Sequence, residues 1–152
     1  MFASVPARAD DCPAIFKAFE TLMKTSTYSQ NIAMKEMSLR SIVMGDVIYM
    51  NSDGTWTKVA LKPGGRQEML KQFVPDGSHL KECAKVGTES IGGKAMTIYR
   101  YVPPVPKGME GLPGAGVPQK LWVGDSDGLP HRLTTDAMEM TISFEPVTAP
   151  IP

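Results

Sequence analysis

Apolar and polar residues follow two different periods along this chain, and the first of them is helical. Apolar side chains recur at the 3.6-residue spacing of an amphipathic helix near the start of the sequence, at Ile15, Phe16, Phe19, Leu22 and Met23. Asp10, Asp11 and Pro13 precede them, and acidic groups and proline are favoured in the first turn of a helix. The pattern predicts a helix over residues 13–25.

The rest of the chain has the shorter period of extended strands. Extended segments are predicted at 28–38, 40–50, 54–61, 80–89, 94–102, 120–123, 129–135 and 138–145. Asn51–Gly54 is a typical hairpin turn, and residues 64–73 predict a short second helix. One helix followed by about seven antiparallel strands indicates a single α+β domain over 13–146, with the N-terminal helix packed on a curved antiparallel sheet.

The segment from Ile42 to Met50 is apolar at both even and odd positions. Read as one strand, it needs cover on both faces, and the helix supplies only one of them. We therefore expect an apolar pocket of a few hundred cubic ångströms, roughly the lower range for ligand sites, on the concave face of the sheet.

A long loop over residues 103–118 is predicted by five prolines and four glycines in sixteen positions. Met109 and Leu112 are apolar residues in this loop with little local structure to cover them. Such side chains either fold over a cavity or contact a partner, so both are candidate contact residues near the mouth of the pocket. Residues 147–152 are expected to form a loose tail.

Composition and charge exclude several classes of partner. Sixteen basic and sixteen acidic residues balance, so the chain has no net field that would attract nucleic acid. Every apolar run is interrupted well before the roughly 20 residues of a membrane-spanning helix. Ala7-Arg8-Ala9 has the small-x-small spacing that a signal peptidase accepts, so residues 1–12 are interpreted as the remnant of an export signal or a flexible N-terminus.

Cys12 and Cys83 are the two cysteines of the chain. An even, minimal count in an exported protein predicts one disulfide, whereas a cytosolic protein would hold two free thiols. A disulfide would link the start of the helix to the middle of the sheet.

The sequence resembles the bacterial lipoprotein-localisation carriers and the related outer-membrane lipoprotein-sorting proteins. The resemblance covers residues 13–145 and rests on four tracts in this order: Gly45 to Tyr49, Asp53 to Trp56, Leu121 to Val123, and Gly128-Leu129-Pro130-His131-Arg132. It implies an unclosed β-barrel with helical cover that holds acyl chains or similar lipids in an apolar cavity, in the periplasm.

Motifs for catalysis and metal binding are weak in this sequence. Residues 124–128 match G-x-S-x-G literally, but Pro130 and a strand pattern follow Ser126 where a hydrolase elbow requires a helix. His79 and His131 have no partner spacing that indicates a catalytic or zinc site. The sequence therefore predicts no enzyme activity, no cofactor and no metal site of these types.

Methionine is unusually frequent, with eleven residues, most of them in predicted strands. Thioether side chains fill irregular apolar space, adapt to ligands of variable shape, or bind soft metals, with Met138 and Met140 as a copper(I) pair in the last case. Strand alternation and the position of one tryptophan select a candidate cavity lining of Met44, Ile48, Met50, Met96, Trp122, Met138 and Met140.

Three functional hypotheses follow from these observations. The first is a periplasmic carrier for an apolar lipid or acyl ligand. The second is an envelope structural or interaction protein with no small ligand, and the third is a soft-metal carrier.

Overall fold

A computed structural model describes residues 11–65, 80–103 and 116–152, together with the single positions 68 and 108. Within these residues one helix precedes nine strands. Helix α1 spans Asp11–Met23, and the strands are β1 Thr27–Met34, β2 Met37–Met44, β3 Val47–Ser52, β4 Thr55–Ala60, β5 Lys81–Ile91, β6 Lys94–Val102, β7 Gln119–Gly124, β8 Pro130–Thr134 and β9 Met138–Ser143.

The nine strands form one antiparallel sheet in the order β4-β3-β2-β1-β9-β8-β7-β6-β5. The first and last described strands, β1 and β9, pair with each other at the centre of the sheet. Strands β4 and β5 are the two edges and do not pair with each other, so the sheet is an unclosed half-barrel. The predicted α+β architecture is confirmed.

Helix α1 packs on one half of one face of the sheet, against β5, β6 and β8. Its apolar stripe places Ile15, Ala18 and Phe19 in a buried cluster with Tyr101 and Leu121, among others. The Phe19 and Tyr101 rings meet edge to face, with centroids 6.3 Å apart. The main core therefore lies between the helix and the strands from β5 to β8.

The predicted disulfide between Cys12 and Cys83 is present, and both residues are buried. Their Cα atoms lie 5.2 Å apart, and the bond joins the first turn of α1 to edge strand β5, so the predicted link to the middle of the sheet was wrong. Beside it, the Lys85 backbone N–H donates a hydrogen bond of 3.0 Å to Asp11 Oδ2. The helix is thus fixed to the sheet by a covalent bond as well as by its apolar face.

Two predictions of a single strand were wrong, because each segment contains a turn that divides it between two paired strands. Residues 40–50 are interrupted by a turn at Gly45 and Asp46, where Gly45 has a φ of 65° and its N–H donates to the Ser26 carbonyl at 2.6 Å. Residues 28–38 are interrupted by the two-residue turn at Lys35 and Glu36. The Lys35-Glu36 turn has no typical turn residue, whereas Gly45-Asp46 is a two-residue hairpin signal within a long apolar run.

The remaining described elements agree with prediction within a few residues. The hairpin at Asn51–Gly54 is confirmed, and the Gly54 N–H donates to Asn51 Oδ1 at 3.1 Å. The predicted helix at 64–73 and the loop at 103–118 lie largely outside the described residues, as do residues 1–10. Residues 147–152 form neither helix nor strand.

Candidate functional site

On the face of the sheet that carries α1, no described element covers the other half, over strands β1 to β4. The strand register places Tyr28, Val43, Ile48 and Val59 in one row across these four strands on this face. Directly opposed residues of antiparallel strands project to the same side. The row is continuous with the core, because Tyr28 and Val43 cluster with Leu22 of the helix.

An apolar pocket of about 320 Å³ lies on this open half. Its volume falls in the lower part of the range for small-molecule sites. Ten residues line it, three each from β1 and β2, two from β3, one from β4 and one beyond β4: Tyr28, Gln30, Ile32, Leu39, Ser41, Val43, Ile48, Met50, Val59 and Leu61.

Gln30 and Ser41 are the non-aromatic polar residues of the lining, and their side chains are hydrogen-bonded to each other. The Ser41 hydroxyl donates a hydrogen bond of 3.2 Å to Gln30 Oε1. This bond reduces the demand of both groups for a polar partner, and a buried polar group without one is costly. The pocket therefore suits an apolar ligand, with one amide group at its centre to orient a polar end.

The floor and the rim of the pocket differ in burial. Tyr28 and Val43 are buried in the cluster with Leu22, and Tyr28 also packs against the Phe144 ring, with centroids 6.1 Å apart. Met50 and Val59 at the rim are partly exposed, and the unbranched Met50 side chain has several rotatable bonds. A firm floor and an adjustable rim can accept apolar groups of different shape.

The structure distributes the seven predicted lining residues over both faces of the sheet. Ile48 and Met50 line the pocket. Met138 and Met140 project to the same face but pack against the core beneath the helix. Met44, Met96 and Trp122 lie on the opposite face.

The turn at Gly45 and Asp46 is the reason for this division. In a single strand, Met44, Ile48 and Met50 would share one face. In the observed hairpin Val43 opposes Ile48, so the even positions of β3 align with the odd positions of β2. The premise that 42–50 is one strand with two apolar faces was therefore wrong, and the pocket lies beside the helix on the same face of the sheet.

The lining residues that sequence reasoning missed follow from the same hairpin register. Gln30 and Ile32 alternate along β1, and Leu39 and Ser41 alternate opposite them on β2. The signal was present as alternation in each segment, but it needed the correct turn to align the segments. Met109 and Leu112 of the predicted partner loop lie outside the described residues.

A larger hollow of about 750 Å³ lies at the β5–β6 hairpin and the neighbouring ends of β8 and β9. Its lining includes Glu89, Lys94, Arg132 and Glu139. Arg132 lies over the Trp122 ring at 4.6 Å and binds Glu139 Oε2 at 3.2 Å, while the Trp122 indole N–H donates to Glu89 at 2.6 Å. Charged side chains thus dominate this lining, so the hollow does not suit an apolar ligand.

The G-x-S-x-G tract forms the turn between β7 and β8, with Ser126 exposed at its tip. Asp127 holds the turn, because its carboxylate accepts the Leu129 N–H at 2.9 Å and lies 2.8 Å from His131 Nε2. Burial alone would raise the pKa of Asp127, but these two groups and Lys94 bring it below its ordinary value. The carboxylate and the imidazole therefore have a structural role in this turn, and a strand follows them where a hydrolase elbow would have a helix.

Neither a cluster of metal-binding side chains nor a membrane-spanning helix occurs among the described residues. They contain no group of three or more His, Cys, Asp and Glu side chains placed to hold a metal ion. No helix among them has the length and hydrophobicity needed to cross a membrane.

Solved structures show that this architecture occurs in bacterial lipoproteins. The lipoprotein LppX of Mycobacterium tuberculosis superposes with a TM-score of 0.60 at 16% identity, covering 91% of this chain and 97% of that one. LprF of Mycobacterium bovis gives 0.61 at 12% identity, covering 96% and 98%. The chain therefore shares the fold of these two proteins. The resemblance inferred from the sequence is therefore confirmed for the fold.

A third similar structure contains a protein partner. MucB of Pseudomonas aeruginosa, in its complex with MucA, gives a TM-score of 0.55 at 10% identity, and the match covers 93% of this chain but 59% of that one. This chain thus corresponds to a little more than half of the matched MucB chain. No protein-family model and no curated protein matches the sequence.

Proposed function

We propose that this protein is a carrier that binds an acyl chain or a similar apolar ligand in the pocket over β1 to β4. The observation that carries the proposal is the apolar lining of that pocket on the half of the sheet that α1 leaves open. The likeness of the fold to LppX and LprF supports it, as does the sequence resemblance to lipoprotein-localisation carriers.

The proposed compartment is the periplasm or another exported location. Disulfides persist in oxidising compartments, and the Cys12–Cys83 bond is buried in the core. The signal-like Ala7-Arg8-Ala9 tract precedes the described domain and is consistent with export.

The proposal predicts how affinity depends on chain length. Each methylene transferred from water to an apolar site contributes about 0.8 kcal/mol, which is roughly a fourfold change in Kd. Saturated fatty acids of increasing length should therefore bind about fourfold more tightly per added methylene until the pocket is full. Beyond that length the gain per methylene should fall toward zero.

Displacement of a fluorescent apolar probe by this fatty-acid series tests the proposal. Met50→Lys places a charge at the rim, where the side chain is 37% exposed, so the fold should tolerate it while binding weakens at least tenfold. Val86→Lys is the matched control, because Val86 is a 50% exposed strand residue outside this pocket. Equal affinities in both variants, or no dependence on chain length, would contradict the proposed site.

A second candidate function is the binding of an envelope protein without a small ligand. The likeness to MucB, which was solved in complex with MucA, favours it, and so do the edge strands β4 and β5, each of which pairs with only one described strand. Exposed strand edges can accept a further strand from a partner. Native mass spectrometry after gentle purification separates the candidates, since the carrier should retain a lipid-sized adduct and the interaction protein should not.

A further inference from the structure

Three methionines meet at one end of the sheet, where β1 turns into β2. Met34 is the last residue of β1 and opposes both Met37 of β2 and Met138 of β9. The three residues therefore form a row across three adjacent strands, with Met34 in the centre. The sequence separates Met138 from the other two by about a hundred positions, and only the β1–β9 pairing brings it to them.

The geometry of antiparallel pairing places the three side chains on one face. Directly opposed residues have Cα atoms roughly 4.5–5.5 Å apart and project to the same side of the sheet. This is the helix-bearing face, since Met138 also packs against the core cluster there. Methionine has three rotatable bonds, so thioethers on neighbouring strands can converge on one small ion.

A role in the hydrophobic core does not account for two of these three methionines. Met34 is 40% exposed and Met37 is 51% exposed, and they flank the two-residue turn at Lys35 and Glu36. Met34 and Met138 also line an open hollow together with Asp136 and Glu139. The thioethers of Met34 and Met37 are thus accessible from solvent.

The chemistry of thioether ligands identifies the ion. Soft sulfur ligands select copper(I) and similar monovalent ions, whereas oxygen ligands suit magnesium and calcium. Both cysteines of the chain are in the disulfide, so they hold no thiolate to compete for such an ion. Thioethers do not form disulfides and so remain available as soft ligands in an oxidising compartment.

From these observations we propose that Met34, Met37 and Met138 form a binding site for copper(I). The site lies two residue pairs beyond Ile32 and Leu39, which line the apolar pocket, and it shares no residue with that pocket. The proposal is therefore independent of the carrier function, and either one can fail without the other.

Silver(I) is the probe for the test, because it has the ligand preference of copper(I) and does not change oxidation state in air. The oxidised protein is labelled with carbon-13 at the methionine methyl groups and titrated with silver nitrate in a chloride-free buffer. Of eleven methionine signals, those of Met34, Met37 and Met138 should shift together and saturate at one ion per chain. Competition with a copper(I) chelator under anaerobic conditions then measures affinity for copper(I) itself.

Leucine substitutions remove the sulfur and keep an apolar side chain of similar size. Met34→Leu and Met37→Leu should each weaken copper(I) binding at least about tenfold, the smaller loss known for changes in the shell behind metal ligands. Met44→Leu is the matched control, since Met44 is a partly exposed strand residue on the opposite face. Circular dichroism checks that each variant remains folded.

Three results would overturn the proposal. One is saturable binding of silver(I) that shifts other methionines and is unchanged in Met34→Leu. Another is the absence of saturable binding in the wild-type protein at silver concentrations equal to the protein concentration. An effect of Met44→Leu as large as that of Met34→Leu would also contradict the assigned ligands.

Discussion

Removal of the Cys12–Cys83 disulfide should destabilise this protein strongly without changing its fold. The bond joins the first turn of α1 to β5, across a sequence separation of 71 residues. In the double variant Cys12→Ala, Cys83→Ala the helix keeps its apolar stripe, with Ile15 and Phe19 still packed on the sheet. We therefore expect α1 to remain in place and the unfolding transition to move.

The size of the effect follows from the length of the loop that the bond closes. In the chain-entropy model a closed loop of this length restricts the unfolded chain by about 4 kcal/mol near room temperature. That is a large share of the roughly 5–15 kcal/mol by which native domains are stable. For a domain of this size, about 1 kcal/mol corresponds to roughly 2–4 °C in Tm, so a fall of roughly 8–16 °C is expected.

Urea unfolding followed by circular dichroism measures this change for three species: the oxidised wild type, the reduced wild type and the double alanine variant. The reduced wild type keeps both sulfur atoms, so its loss of stability relative to the oxidised protein measures the contribution of the cross-link alone. The alanine variant adds the loss of the two buried sulfurs. Both cross-link-free species should also show a larger m-value, because their unfolded chains expose more surface.

Two outcomes would refute the reasoning. A loss below about 1 kcal/mol in the reduced protein would mean that the unfolded chain is already compact around this link. A loss of helix signal before unfolding would mean that the apolar face of α1 does not hold the helix without the disulfide. The control is Ser126→Ala, an exposed change in a turn, which should leave the transition within about 0.5 kcal/mol of wild type.

Three further predictions concern the core, the β7–β8 turn and catalysis. Leu121→Ala should cost about 3–5 kcal/mol in urea unfolding, because Leu121 is fully buried beneath α1; a cost under about 1 kcal/mol would show that the core collapses into the space. Asp127→Asn should cost about 1 kcal/mol at neutral pH. The native pKa of Asp127 lies below its ordinary 3.8, so this difference is present above that value and should vanish as the pH falls through the native pKa; a difference that persists in acid would contradict the carboxylate's role. Ser126→Ala should leave any ester hydrolysis by the purified protein unchanged, and a loss of activity in that variant would show that Ser126 acts as a nucleophile.

Local patterns were sufficient for the elements whose signals lie close together in sequence. The 3.6-residue stripe from Ile15 to Met23 predicted α1 to within two residues at each end. Asn51–Gly54 predicted its hairpin, because an asparagine side chain and a glycine close such a turn without help from distant residues. The disulfide was predictable because two cysteines allow one pairing.

The candidate site was less predictable, because it depends on how the strands align across their turns. Gly45-Asp46 is a two-residue hairpin signal, but the apolar residues on both sides of it were interpreted as one continuous strand. The Gly45-Asp46 turn decides which of Met44 and Ile48 faces the pocket. Side chains alternate along each strand, and the turn sets which residue of β2 lies opposite which residue of β3.

The sequence by itself thus determined the fold class, the helix, the covalent link and the apolar character of the strands. Only the tertiary structure decided which apolar residues share a face. The pairing of β1 with β9 brings Met138 beside Met34, and the position of α1 leaves Val43 and Ile48 beneath an open pocket. Such contacts join residues that are far apart in the chain, and strand pairing, which no local pattern specifies, sets their register.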